Sequence, residues 1–166
     1  MAEAPPFDHV GQWRAVRDES TDVHLRSARL GAVSVEAWAP IVSATCGVDA
    51  QLVHLYLSVA LNRLRTRSFV IQTAARALIA QHGAARLTYH GSGAAAAPWR
   101  VDGTAVAGSV EIPLTLAVHR VSEGPGFMVK LTGTAHLGTV HLPLPGLGTV
   151  EDFVCDVDAR LPLHAQ

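Results

Sequence analysis

Nine histidines, two cysteines and two aspartates two residues apart are the side chains of this 166-residue chain best suited to chemistry. Their spacing argues against most of it. No HxH, HxxxH or HExxH pattern occurs, so no two histidines share the strand or helix face that a metal ion needs. His136 and His141 stand five apart across Gly138, and His24, His54, His90 and His119 fall on separate predicted strands, opposite the aliphatic faces. Cys46 and Cys155 are more than a hundred residues apart. They read as small buried apolar residues rather than as a disulfide or a metal site. Asp156 and Asp158 share one strand face, where an exposed surface explains them better than paired acid catalysis. No G-x-S-x-G, phosphate-binding or dinucleotide-binding pattern is present. On the aliphatic faces only Ser27, Tyr89 and Cys155 carry polar groups, and they are scattered. No metal, no cofactor and no catalytic group are therefore expected.

The elements that hold these residues are mostly strands. Ile112, Leu114, Leu116 and Val118 alternate with Pro113, Thr115, Ala117 and His119, the period of two that separates the faces of a sheet. After the turn signal at 123–126 the alternation resumes, with Phe127, Val129, Leu131, Gly133, Ala135 and Leu137 on one side. The cleanest alternation lies at 51–61, where Val53, Leu55, Leu57, Val59 and Leu61 form one aliphatic face. Trp13 to Ala39 reads as three short strands, with a turn at 18–21 and a break at Gly31, ending at Pro40 because proline has no N–H for the ladder. The last strand puts Phe153, Cys155, Val157, Ala159, Leu161 and Leu163 on one side. One helix is predicted at 69–81, capped by Ser68 and stopped at Gly83. Phe69, Thr73, Arg76 or Ala77, and Ala80 share its spacing of three to four. Residues 62–68 read as a surface loop and 91–98 as a loose small-residue connection. Residues 1–11 read as a flexible arm, leaving 12–166 as one barrel domain.

The chain is 49% hydrophobic and 16% charged, so it has much to bury in one domain. About eight antiparallel strands with a continuous aliphatic face close into a barrel, which removes the sheet edges. The fold class is thus mainly β, with one helix plugging an end of the barrel or lying across its mouth. Eight strands leave either a packed core or room for one small ligand. The interior candidates are Leu25, Val35, Val53, Leu55, Leu57, Val59, Leu114, Leu116, Phe127, Val129, Leu131, Phe153 and Val157. They are mid-sized aliphatics with few rings among them. Together with Gly103, Gly133 and Ala135 they favour a cavity along the barrel axis.

The chain also resembles the YceI-like polyisoprenoid-binding family from about Trp13 to Leu163. The resemblance is carried by Trp13, Ser20 and the Leu30-Gly31 pair, by Leu64-Arg65 and Phe69 leading into the helix, and by Val101-Asp102-Gly103 before Pro113-Leu114-Thr115-Leu116. Gly83-Ala84-Ala85 stands where that family has a proline, and the acidic and histidine residues before its Leu-Arg pair are absent. The resemblance implies a lipocalin-like barrel that binds, carries or stores an isoprenoid-type lipid or quinone. The alternatives are an enzyme acting on an apolar molecule inside the same barrel, or a packed barrel serving as an interaction module.

Partners follow from charge and from two segments. A formal charge of −1 with basic residues spread along the sequence lacks the footprint of a nucleic-acid or anionic-membrane binder. A short acidic start without an apolar run, and no segment of roughly 18 to 20 unbroken apolar residues, make cytoplasmic residence the expectation. Arg63, Arg65 and Arg67 are the densest cations. Arg65 and Arg67, with Tyr89, are candidates to meet a ligand's polar head. Residues 142–147, with three leucines and two prolines, are expected to cover the open end or to make a homodimer contact.

Overall fold

A computed structural model describes residues 11–15, 21–27, 34–49, 51–95, 100–120, 127–141 and 149–165. The alternating segments are strands: β1 (Gly11–Ala15), β2 (Asp22–Ser27), β3 (Glu36–Val48), β4 (Leu52–Ala60), β5 (Arg65–Thr66), β6 (Arg86–Ala94), β7 (Arg100–Ala107), β8 (Val110–Arg120), β9 (Phe127–His141) and β10 (Thr149–Ala165). A 3₁₀ turn at Leu61–Arg63 and the helix α1 (Phe69–Gln81) lie between β4 and β6. All pairings are antiparallel, in the order β3-β4-β6-β7-β8-β9-β10. β10 pairs back through β2 to β3 at one end and through β1 to β3 at the other. β1 and β2 thus share one place, β5 lies off β3, and the sheet closes as an eight-strand barrel.

Register and side-chain size divide the interior into two halves. Near β1, Trp13, Cys46, Val48, Val53, Leu55, Val129, Leu161 and Leu163 are buried and fill the space. Near α1 the buried positions include Ala39, Ala105, Ala107, Ala135 and Ala159. Methyl groups cannot span a barrel of this diameter, so an alanine ring leaves a void that a leucine ring does not. The expected cavity along the whole axis is accordingly confined to the α1 half.

Four local expectations are corrected. β3 runs through Pro40 to Val48. Ile41 N–H donates to Thr21 at 2.8 Å on the β2 side. Pro40 therefore turns its missing N–H to the other edge, in the gap between the Trp38–Arg65 and Ile41–Val59 pairs. Gly91, Ser92 and Gly93 belong to β6, paired with Leu55, His54 and Val53. Residues 62–68 are not wholly a surface loop, because Leu64 is buried and Arg65–Thr66 pairs with β3. β9 continues past Leu137 to His141 with Gly138 at φ +68° opposite Phe153, a bulge that lets the ladder resume.

α1 has the predicted bounds. Ile71 N–H donates to Ser68 Oγ at 3.4 Å, and Gly83 takes φ +61°, a left-handed conformation that ends the helix. The residues that share its spacing of three to four do not form its inward face. Ala75 and Ile79 rest on the core, whereas Phe69, Thr73, Arg76, Ala77 and Ala80 are exposed. Residues 1–10 of the expected arm at 1–11, residues 18–20 of the turn at 18–21, the turn at 123–126, Gly31, residues 96–98 and the loop at 142–147 lie outside the described residues, whereas Gly11 begins β1.

Candidate functional site

Under α1 the barrel holds a cavity of about 310 Å³. Leu78, Ile79 and His82 reach into it from the end of α1, and Leu61, Leu64 and Ala84 from the connections on either side. Val110 and Leu137 line it and are also exposed, which places the mouth at the start of β8 and near the end of β9. Ligand cavities of globular proteins run from roughly 300 to 1,000 Å³, so this one has room for a short chain or a segment of a longer one.

Of the interior candidates read from the sequence, Leu25, Leu57, Val59, Leu114, Leu116, Leu131 and Val157 line the cavity. Val53, Leu55 and Val129 are buried in the filled half and do not reach it. Phe153 is half-buried against the core without lining the space. Val35 sits just before β3, where its N–H donates to Ser27 Oγ at 2.8 Å, and it is not part of the wall. The side chain of Phe127 lies outside the described residues. The wall residues that the sequence reading missed include larger ones, such as Val23, Leu61, Leu64, Leu78 and Ile79, and a set of small ones, among them Ala39, Ala105 and Ala159. The signal of the small ones was present as alanine at inward positions where neighbouring strands carry leucine or valine.

The inward hydroxyl groups of Ser27 and Tyr89 are engaged. Tyr89 donates its phenol to the carbonyl of Leu114 at 2.9 Å and approaches that of Val101 at 3.4 Å. Burial, and then the Asp102 carboxylate, push its ionisation well above the ordinary tyrosine value. A Cβ at Gly91 would lie 2.7 Å from the Tyr89 hydroxyl, so glycine is what lets β6 curl around that ring. Cys155 lines the cavity, and burial, followed by the charge of Asp156, pushes its thiol up to about 11. Cys46, in the filled half, is pushed up by burial to about 12. Both cysteines are free and buried. Near neutral pH neither is a thiolate, the form that attacks or binds metal.

The arginines expected to meet a polar head do not reach the cavity. Arg65 pairs with Asp22 at 2.6 Å, and Arg67 lies 3.7 Å from Glu36 and over the Trp38 ring at 5.6 Å. Both stand on the outer wall. So does His24, stacked on Trp38 at 5.1 Å between Glu36 and Asp158. His82 is the one inward candidate the sequence reading left unplaced, an exposed side chain at the cavity rim next to the helix end.

With the barrel, the helix and the cavity defined, solved structures of the same architecture can be set beside it. BcnA of Burkholderia cenocepacia superposes with a TM-score of 0.59 at 12% identity, over 84% of this chain and 94% of its own. A polyisoprenoid-binding domain from Saccharophagus degradans, implicated in plant cell wall breakdown, superposes with a TM-score of 0.56 at 16% identity, over 95% and 100%. Their fold is the fold of this chain. The barrel implied by the YceI-like resemblance is therefore the one found. No family model and no curated protein matches the sequence. Among the described residues no helix is long and apolar enough to cross a membrane.

Proposed function

We propose that the protein binds an apolar small molecule of the isoprenoid lipid or isoprenoid quinone class in the cavity beneath α1, as a carrier or store rather than as a catalyst. The observation that carries this reading is a cavity walled by aliphatic side chains, in which the phenol of Tyr89 is already committed to backbone carbonyls. Apolar burial at ~0.8 kcal/mol per CH₂ holds such a chain without directional contacts. Any polar head is expected to leave through the mouth past His82, Val110 and Leu137, not toward Arg65 or Arg67. The barrel's likeness to a polyisoprenoid-binding domain supports the ligand class.

The test is organic extraction and native mass spectrometry of the purified protein, followed by uptake of a fluorescent isoprenoid by the stripped protein. Leu116→Trp should fill the space and reduce uptake at least tenfold while the barrel stays folded. Unchanged uptake in that variant would sink the reading.

A further inference from the structure

Residues 50–101 carry six arginines and not one aspartate or glutamate, so the rest of the chain holds −7 against this segment's +6. Net charge alone hides this polarity. The fold concentrates it, because Arg63, Arg65, Arg67, Arg76 and Arg86 all stand exposed on the turn, β5, α1 and the start of β6, the elements that cover the cavity end. Arg65 and Arg67 are paired with Asp22 and Glu36, Arg76 donates its Nε–H to the Leu64 carbonyl at 2.9 Å, and Arg63 and Arg86 meet no carboxylate among the described residues. At the head of the same helix, Phe69 is 79% and Val70 65% exposed, the two most exposed large apolar side chains described. The first turn of α1 has no acidic residue either. Its amide dipoles add positive potential at that end.

We propose that this side of the molecule docks reversibly on an anionic lipid bilayer, with Phe69 and Val70 entering the headgroup boundary and the arginines facing lipid phosphates. Apolar side chains beside unpaired arginines match an interface that is apolar within and anionic at its surface. Glu111, Glu151 and Asp152 lie exposed at the starts of β8 and β10, across the barrel end from these arginines. Their repulsion turns the α1 side, not the opposite rim, toward the lipid. The proposal rests on the cavity being an apolar-lipid site, of which docking sets the α1 cover, and not the mouth at Val110 and Leu137, against the lipid.

The experiment floats the full chain with phosphatidylcholine vesicles, with and without about a third phosphatidylglycerol, at low and physiological salt. Recovery should occur with the anionic vesicles, weaken with salt and be slight with neutral ones. Phe69→Ser with Val70→Ser should cut partitioning roughly tenfold, and Arg63→Glu with Arg86→Glu should remove the preference for anionic vesicles. Both variants should keep the wild-type circular dichroism spectrum and isoprenoid uptake. Equal recovery with both vesicle types would overturn the proposal. So would salt-sensitive binding that ignores Phe69 and Val70, which would instead mark a surface for an acidic protein. Failure to float with uptake intact overturns docking alone, whereas floating without uptake overturns the ligand reading.

Discussion

At the residue scale, a period of two reveals which face a side chain occupies but not what its polar atom meets there. Tyr89 is the case in point: the sequence marks it as an inward polar group, and only the strand register brings its hydroxyl to the carbonyls of Leu114 and Val101. Tyr89→Phe should therefore cost about 1–2 kcal/mol of stability, because a buried acceptor loses its donor, with ligand uptake unchanged. Calorimetry and uptake on one preparation check this; lost uptake at unchanged stability would make the phenol a ligand contact. Cys46 makes a second test. Its thiol ionises near 9.0 when unfolded and near 12 when folded. The folded state holds the proton more tightly, so this contribution to stability is whole below pH 9 and is lost as pH rises from about 9 to 12. The loss is at most about 1.4 kcal/mol per pH unit. Cys46→Ala should flatten that part of the urea-midpoint profile against pH, and an unaltered alkaline slope would contradict it.

At the element scale, boundaries governed by local chemistry were legible and faces governed by tertiary contact were not. Ser68 and Gly83 set the ends of α1 through one side-chain cap and one left-handed residue. The spacing of three to four did not reveal the inward face, because Phe69, the largest apolar residue of the helix, points to solvent. Pro40 misled for a related reason, since its cost depends on which edge its nitrogen faces, and that is a property of the partner strands. None of the residues of α1 is buried. A helix held only by half-buried contacts opens at lower free energy than the strands beneath it. Amides of α1 should exchange on the order of 100-fold faster than those of β4, and a bound isoprenoid touching Leu78 and Ile79 should slow them. Hydrogen exchange resolved by segment tests both. Equal protection of α1 and β4 in the stripped protein would mean that the cover does not open on its own.

At the scale of the whole molecule, the barrel was readable because each strand repeats the same alternation, whereas the division of its interior was not. The division depends on which small residues come level around the barrel. Ala39, Ala105, Ala135 and Ala159 sit on four strands far apart in sequence. Leu55 and Leu57 make the division measurable, since they are adjacent inward residues of one strand, both nearly inaccessible to solvent. Leu55 sits in the filled half, and its truncation must open a new void; such Leu→Ala changes cost about 2.7–5 kcal/mol. Leu57 already borders empty space and has fewer neighbours to lose. In ligand-stripped protein, Leu57→Ala should therefore cost less than Leu55→Ala by on the order of 1–2 kcal/mol. A longer isoprenoid, added in excess, should then stabilise the Leu57→Ala protein at least as much as the wild type, because binding to the folded state alone adds free energy as the ligand saturates it. Urea titrations of both variants, with and without ligand, provide the comparison. Equal costs in the stripped proteins would mean that the interior is filled alike from end to end, and the cavity beneath α1 would lose its standing as the binding site.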